Sequence, residues 1–265
     1  MAEATLTSAR PSGLAAWLPR LGFWLAVIAG LVLAFGPIAW RLRLIHFRTV
    51  FWYVMEPAAF IGAAAAVVSL VALFWWGRQS GGARVMNLIG LIGGALLVYY
   101  PVQFYAKVFP IPILGTTPLP LIHDITTDLT NPPAFDATLV ARKAENGNDV
   151  TYDPKVGEQQ KAAYGFVQPV KTSLPPADAF KRALETAQAM SGWTIVKSDP
   201  AAGIIEGSER TLFMGFTDDF VIRVAADGTG SRIDMRSESR QGRSDFGVNA
   251  KRIQRYMEAL KARLG

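Results

Sequence analysis

The sequence predicts an α+β protein: three transmembrane helices followed by an antiparallel-sheet domain with two helices packed on one face. Three observations predict it. The first 108 residues hold three apolar runs, each near the ~20 residues needed to cross a bilayer. Short alternating segments separated by turn residues follow, and these are typical of antiparallel strands. Two segments with apolar residues every three or four positions predict the helices.

The membrane anchor is predicted at residues 1–108, with spans at residues 21–40, 57–76 and 85–105. Aromatic residues mark the span rims, where they are typical interface anchors, and Pro101 is expected to kink or end the third span. We reject a secretory signal peptide for the first run, because further spans follow and no small-residue cleavage site lies within reach.

Small residues in the spans predict close helix packing. Gly90 and Gly94 have the spacing that lets helices approach closely. They serve either packing among the three spans, which we favour, or docking of a partner's membrane helix. No predicted span contains a charged residue, and Glu56 lies only at a rim. A transporter or proton pump is therefore not expected.

Charge is distributed unevenly along the chain. The first 120 residues hold 8 basic and 2 acidic residues, whereas the remainder holds 19 of each. The basic excess thus belongs beside lipid head groups, and the neutral second half is not expected to bind nucleic acid. Basic residues divide equally between the two sides of the spans, and the amino terminus tips the balance toward a cytoplasmic N-terminus. We therefore expect a bacterial inner-membrane protein with a periplasmic C-terminal domain.

The chain has no cysteine and two histidines, His46 and His123. Disulfides, zinc-thiolate sites and thiol nucleophiles are excluded. Asp124, Asp128 and Asn131 are oxygen donors, but their spacing does not match a calcium loop, so we interpret them as turn and cap residues. No motif indicates a cofactor or a metal.

Residues 109–120 contain four prolines and are predicted to form a stiff connector before the globular domain at residues 121–265. Residues 121–157 are expected to form a long ordered loop with short strands. A strand at 168–173 and a helix from Pro176 follow, then strands at 193–198, 203–209, 211–224 and 231–237. Such a sheet buries one face under its helices and leaves the other open, similar to helix-grip folds.

The C-terminal stretch is the most informative part of the domain. Ile233 and Met235 alternate with charged residues, as in a strand with one buried face. Gly242 allows a sharp turn, and Ser244 is the expected N-cap of the last helix, with Asp245 in its first turn.

Residues 234–253, Asp-Met-Arg-Ser-Glu-Ser-Arg-Gln-Gly-Arg-Ser-Asp-Phe-Gly-Val-Asn-Ala-Lys-Arg-Ile, resemble the signature of the domain-of-unknown-function family 1499. Shorter blocks at residues 124–128, 131–135, 192–193 and 216–223 agree with it. The resemblance covers residue 121 to the end and implies no particular reaction. Relatives in plastids look lumenal, and this implies a domain on the far side of the membrane from the cytoplasm.

Polar residues in this region allow three interpretations. The first is a salt-bridge and capping network on the open face of the sheet, which includes Asp218, Asp219, Arg223 and Asp245. The second is an anion site at the helix N-terminus, with the candidate residues Arg236, Arg240, Arg243, Ser244, Asn249 and Arg252. The third is a hydrolase that uses Asp218 or Asp219, which we expect at a turn.

We expect a non-enzymatic accessory, assembly or scaffold subunit with an extracytoplasmic interaction domain. Its expected partners are membrane lipids and other membrane-complex subunits, with no cofactor. The alternatives are a binder of an anionic lipid head group or small ligand at Arg240 and Arg243, and the hydrolase.

Overall fold

The structure is a computed structural model that describes residues 13–108 and 118–264. Most of the predicted connector, residues 109–117, lies outside the described residues, as do the first 12 residues. Within the chain, Met1–Thr116 and Thr117–Gly265 form two compact units. Each unit is described by itself.

The first unit consists of three long apolar helices. They are α1 (Leu14–Arg41), α2 (Glu56–Ala72) and α3 (Gly81–Val108). A π-helical turn at Val50–Met55 precedes α2, a 3-10 turn at Leu73–Arg78 follows it, and α3 continues through Pro101. By length and composition all three spans could cross a membrane, as the sequence predicts.

The three helices pack through glycine contacts. A Cβ on Gly90 would lie 2.7 Å from the backbone of Gly22 on α1, and one on Gly94 would lie 2.5 Å from the carbonyl oxygen of Gly62 on α2. Only glycine permits such an approach of two backbones. Both glycines therefore contribute to packing among the three spans of this chain.

The second unit contains a six-stranded antiparallel sheet with the order β1-β6-β5-β4-β3, in which β2 also pairs with β6. The strands are β1 (Asp124–Thr126), β2 (Val170–Thr172), β3 (Trp193–Asp199), β4 (Ile204–Arg210), β5 (Thr217–Asp227) and β6 (Gly230–Ser239). The register of β1 and β2 places them end to end along one edge of β6. The α+β prediction is confirmed.

Four helices complete the second unit: α4 (Leu139–Ala144), α5 (Lys155–Ala163), α6 (Pro176–Ala189) and α7 (Val248–Leu264). The hydrophobic core lies between one face of the sheet and α6 and α7. Trp193 packs there between Phe220 and Tyr256, with ring centroids at 4.0 Å and 5.4 Å. The Tyr256 hydroxyl donates to the carbonyl oxygen of Ala183, joining α7 to α6.

Three sequence predictions for this unit were wrong. Residues 121–157 are not a loop with strands alone, because α4 forms within them and α5 begins there. The second face of the sheet is not open, because residues 127–163, which we call the covering segment, lie over it. The last helix begins at Val248 rather than at Ser244, since Phe246 and Gly247 have φ values of 52° and 82° and interrupt a right-handed helix.

Candidate functional site

The predicted polar residues lie on β5, β6 and the start of α7, and they divide between the two faces of the sheet. Alternation along β6 sends Ile233, Met235 and Ser237 toward the helices, and Arg236, Glu238 and Arg240 toward the covering segment. Asp218 and Asp219 are consecutive in β5 and face opposite sides. Their predicted position at a turn was wrong, because both pair inside the strand with residues of β4 and β6.

Arg236 forms the first ion pair of the covered charged face. Its Nε and Nη2 atoms donate to the two oxygens of Asp124, at 2.9 Å and 2.8 Å. The remaining donors reach the carbonyl oxygens of Pro133 and Val150. The guanidinium lies over the Phe135 ring at 5.0 Å. A buried guanidinium with this many partners fixes the covering segment on the sheet.

Asp219 is the centre of the second cluster on this face. It accepts from Arg142 Nε at 3.0 Å and, in a bidentate arrangement, from Nε and Nη2 of Arg240. Arg240 Nη1 also donates to Glu145 at 2.9 Å. Arg142 and Glu145 belong to the covering segment, so this cluster also joins that segment to the sheet.

Glu238 is the least satisfied charged group of the charged face, with an exposed fraction of 1%. Its oxygens lie 3.3 Å from Arg142, 3.6 Å from Arg236 and 3.8 Å from His123 Nδ1. Despite these distances neither oxygen accepts a hydrogen bond, and His123 Nδ1 has no partner either. Burial, with the adjacent Asp124 carboxylate, raises the pKa of Glu238 to about 8, while burial lowers the pKa of His123. Both shifts favour the neutral form of the group concerned.

The helix-facing polar cluster forms around Arg252. This side chain donates to Asp218 at 2.7 Å, to Ser237 at 3.0 Å, and to Glu209 and Asn249. Asn249 Nδ2 in turn donates to the His123 carbonyl oxygen and to Ser239. This cluster ties the first turns of α7 to β6 and to the chain entering β1.

Asp245 occupies the N-terminus of α7. Its carboxylate accepts from the backbone N–H groups of Gly247 and Asn249, both at 2.8 Å. Burial raises its pKa to about 6. The N–H donors and the dipole that the anion-site interpretation assigned to an external ligand thus hold an internal carboxylate.

Two predicted anion-site residues lie outside both clusters. Arg243 is exposed, and Ser244 Oγ donates to the Pro120 carbonyl oxygen at 3.4 Å. The structure therefore does not bring Arg243 beside Arg240, whose donors point under the covering segment. Arg223 lies at the far rim of the charged face, where it donates to Asp128 and Asp234.

Glu206 on β4 is a buried polar group of the charged face that the sequence did not indicate. Its buried carboxylate accepts from the backbone N–H groups of Asp136, Ala137 and Thr138, and from the Thr138 hydroxyl at 2.6 Å. Three successive N–H groups on one carboxylate form an anion-binding nest. A charged residue directly after the two apolar residues that begin β4 is the signal that could have found it.

The part of the chain that matches a family model lies within the second unit. A model described as "Protein of unknown function (DUF1499)" matches residues 124–260, from the start of β1 to the last turns of α7. The chain belongs to the DUF1499 family. The resemblance in the C-terminal motif is thereby confirmed. No curated protein matches the chain.

Solved structures include two similar to part of this DUF1499 chain. "Crystal structure of Ara h 8.0201" is 14% identical, covers 37% of this chain and 93% of its own, and gives a TM-score of 0.23. The structure of TTHA0849 from Thermus thermophilus is 13% identical, covers 36% of this chain and 90% of its own, and gives a TM-score of 0.22.

A cleft of about 380 Å³ lies on the DUF1499 domain beside α5. Its lining includes Asp128, Gln160, Lys161 and Arg232. Gln160 is hydrogen-bonded to the backbone of Thr126, and Arg232 is hydrogen-bonded to the carboxylate of Asp234. Within residues 13–108 and 118–264, no group of three or more His, Asp or Glu residues is placed to hold a metal ion.

Proposed function

We propose that this chain is a non-enzymatic accessory or scaffold subunit of the bacterial inner membrane. Its three spans anchor a periplasmic DUF1499 domain that binds other subunits of a membrane complex. The supporting observation is that the charged residues of the candidate site, apart from the exposed Arg243, are bound to other groups of the domain. They stabilise the fold and are not directed at a cleft.

The hydrolase alternative requires a carboxylate able to take up a proton from water or substrate. Asp219 accepts from two arginines, and Asp218 from Arg252. Both carboxylates are buried. A carboxylate held by arginine partners has its lone pairs occupied by those hydrogen bonds. These contacts favour a structural role for both residues.

The anion-binding alternative requires donors directed at solvent. Arg240 is bound to Asp219 and Glu145, and the α7 N–H groups are bound to Asp245. An external phosphate would have to displace Asp219 or Asp245 from its buried position, and losing one partner of a buried charge is costly. We therefore favour the scaffold over a head-group site at this corner.

The orientation is tested by labelling, because the natural chain has no cysteine. Ala201→Cys lies on the exposed β3–β4 turn. We expect a membrane-impermeant maleimide to label it in intact spheroplasts. Labelling only after the membrane is opened would place the domain in the cytoplasm and contradict the proposal.

Subunit association is tested by mild detergent extraction of the tagged full-length chain, followed by native gels and mass spectrometry. We expect a species larger than the monomer, with the same foreign subunits in each preparation. A truncated chain of residues 1–116 is the matched control and should lose them. A monomer in nanodiscs made directly from native membranes would contradict the scaffold role.

A further inference from the structure

Three segments of the DUF1499 domain meet at one end of the sheet. They are the β4–β5 loop at residues 211–216, the β6–α7 loop at 241–247 and the entering chain at 118–123. Arg240 N donates to the Thr217 carbonyl oxygen at 3.0 Å, and Asp245 N to that of Ile122 at 3.1 Å. We call these three segments, with the first turn of α7, the tether end. The β3–β4 and β5–β6 turns lie at the opposite end, because consecutive antiparallel strands reverse direction.

The tether end exposes large apolar side chains. The exposed fractions are 93% for Leu212, 52% for Phe213 and 60% for Leu121. The turns at the opposite end, residues 199–203 and 227–230, contain only small or polar residues apart from Pro200. Single exposed apolar residues are ordinary, whereas a group at one end of a domain marks an interaction surface.

Exposed basic residues accompany this apolar tip. Arg210 ends β4, Arg243 lies in the β6–α7 loop, and Lys251 lies in the first turn of α7, all exposed. The acids nearby are already paired: Glu145 with Arg240, and Glu209 with Arg252. An apolar tip with a basic rim is the composition that suits the interfacial layer of a bilayer.

The length of the connector favours the bilayer as the occupant. Residues 109–117 join the last residue of α3 to Pro118. Ten peptide steps reach at most about 35 Å, while a domain of this size has a radius of gyration of about 15 Å. The tether end therefore stays within reach of the lipid surface. We infer that the Leu212–Phe213 tip inserts into the interfacial layer of the bilayer, an inference that does not depend on the scaffold role.

The test places an environment-sensitive dye on the full-length chain in nanodiscs, using Leu212→Cys as the labelling site. The matched control is Ala201→Cys at the opposite end of the domain. We expect a blue-shifted emission at position 212 and quenching by lipids that carry doxyl groups near the head of the acyl chain. Neither effect is expected at position 201.

Adding Phe213→Asp to the position-212 variant should reverse both effects, because an acid opposes burial in lipid. Resistance of the domain to protease shows that this variant still folds. A blue shift without lipid quenching would mean that protein covers the tip, and would overturn the inference. So would an unshifted emission at position 212, or quenching that Phe213→Asp leaves unchanged.

Discussion

The two faces of the sheet are built from the same strands but are stabilised in different ways. The face under α6 and α7 buries apolar side chains such as Ile205, Ile222 and Met235. The face under residues 127–163 buries arginines and carboxylates, which form bidentate pairs. Apolar burial tolerates small shifts of its partners, whereas charge pairs require fixed geometry. The covering segment is therefore held by position-specific contacts that explain its lack of apolar periodicity.

The largest effect should come from breaking the charged face at its centre. Asp219→Ala leaves Arg142 and Arg240 buried without their shared carboxylate, so we expect it to destabilise the domain by about 3–5 kcal/mol. Urea titration of the full-length chain in nanodiscs, read out by pulse proteolysis, measures this. Replacing all three residues by leucine should recover much of the loss. Equal destabilisation in the triple variant would show that the charges matter for more than pairing.

An apolar deletion on the other face of the same strand is the matching experiment. Ile222→Ala removes buried methyl groups from the core between β5 and the helices. We expect a loss of about 3 kcal/mol from the transfer and cavity terms. The same urea titration measures this loss of stability. We expect no substitution of a charged residue to restore it. A loss below that of a surface substitution such as Lys171→Ala would contradict the position of the core.

Glu238→Gln should separate the faces by their pH dependence. The pKa of Glu238 is raised from its ordinary 4.5 to about 8, so the native state keeps a proton that the unfolded chain releases. The contribution of Glu238 to native stability is therefore fully present below pH 4.5 and is lost as pH rises toward 8. Glutamine imitates the protonated acid and does not titrate. As the pH rises from 6 to 8, the variant should therefore gain roughly 2 kcal/mol of unfolding free energy relative to the natural chain.

Urea titrations of both chains at several pH values test the effect of Glu238. Glu258→Gln, at an exposed position on α7, is the control and should leave the pH dependence unchanged. Parallel curves for Glu238→Gln and the natural chain would show that Glu238 is ionised in the native state.

Asn249→Ala should give the smallest of these effects. It removes the side chain that connects Ser237, Ser239 and the His123 carbonyl oxygen. We expect a loss of about 1–2 kcal/mol, typical of buried neutral hydrogen bonds. Hydrogen exchange should show earlier opening of the first turn of α7 than of β6. An equal loss of exchange protection in α7 and β6 would mean that the stabilising effect of this cluster is not confined to the start of the helix.

The sequence predicted the elements with regular apolar spacing. The spans were identified from uninterrupted hydrophobicity, and β6 from the alternation around Ile233 and Met235. Asp218 and Asp219 were misplaced because two adjacent acids resemble a turn when the arginines that bind them are 34 and 21 residues away in sequence. Propensity also gives no sign that Phe246 has a positive φ, which delays α7.

The candidate site was predicted in composition but not in arrangement. Arg240, Arg252 and Asn249 do lie close to the β6–α7 junction. The burial of Arg240 depends on residues 127–163, whose polar sequence offers no period from which to place them on the sheet. Long-range pairs such as Arg236 with Asp124 become visible only in the folded chain.

The pairing of β1 and β2 along one side of β6 has a consequence for recognition. That border of the sheet consists of two strands of three residues each, and strands this short offer little edge for pairing. At the opposite border, β3 is interrupted by a bulge between Ile195 and Lys197, and Lys197 carries a charge there. Both devices discourage an added strand. Whatever docks on this domain will meet its side chains, and main-chain zippering between copies is disfavoured.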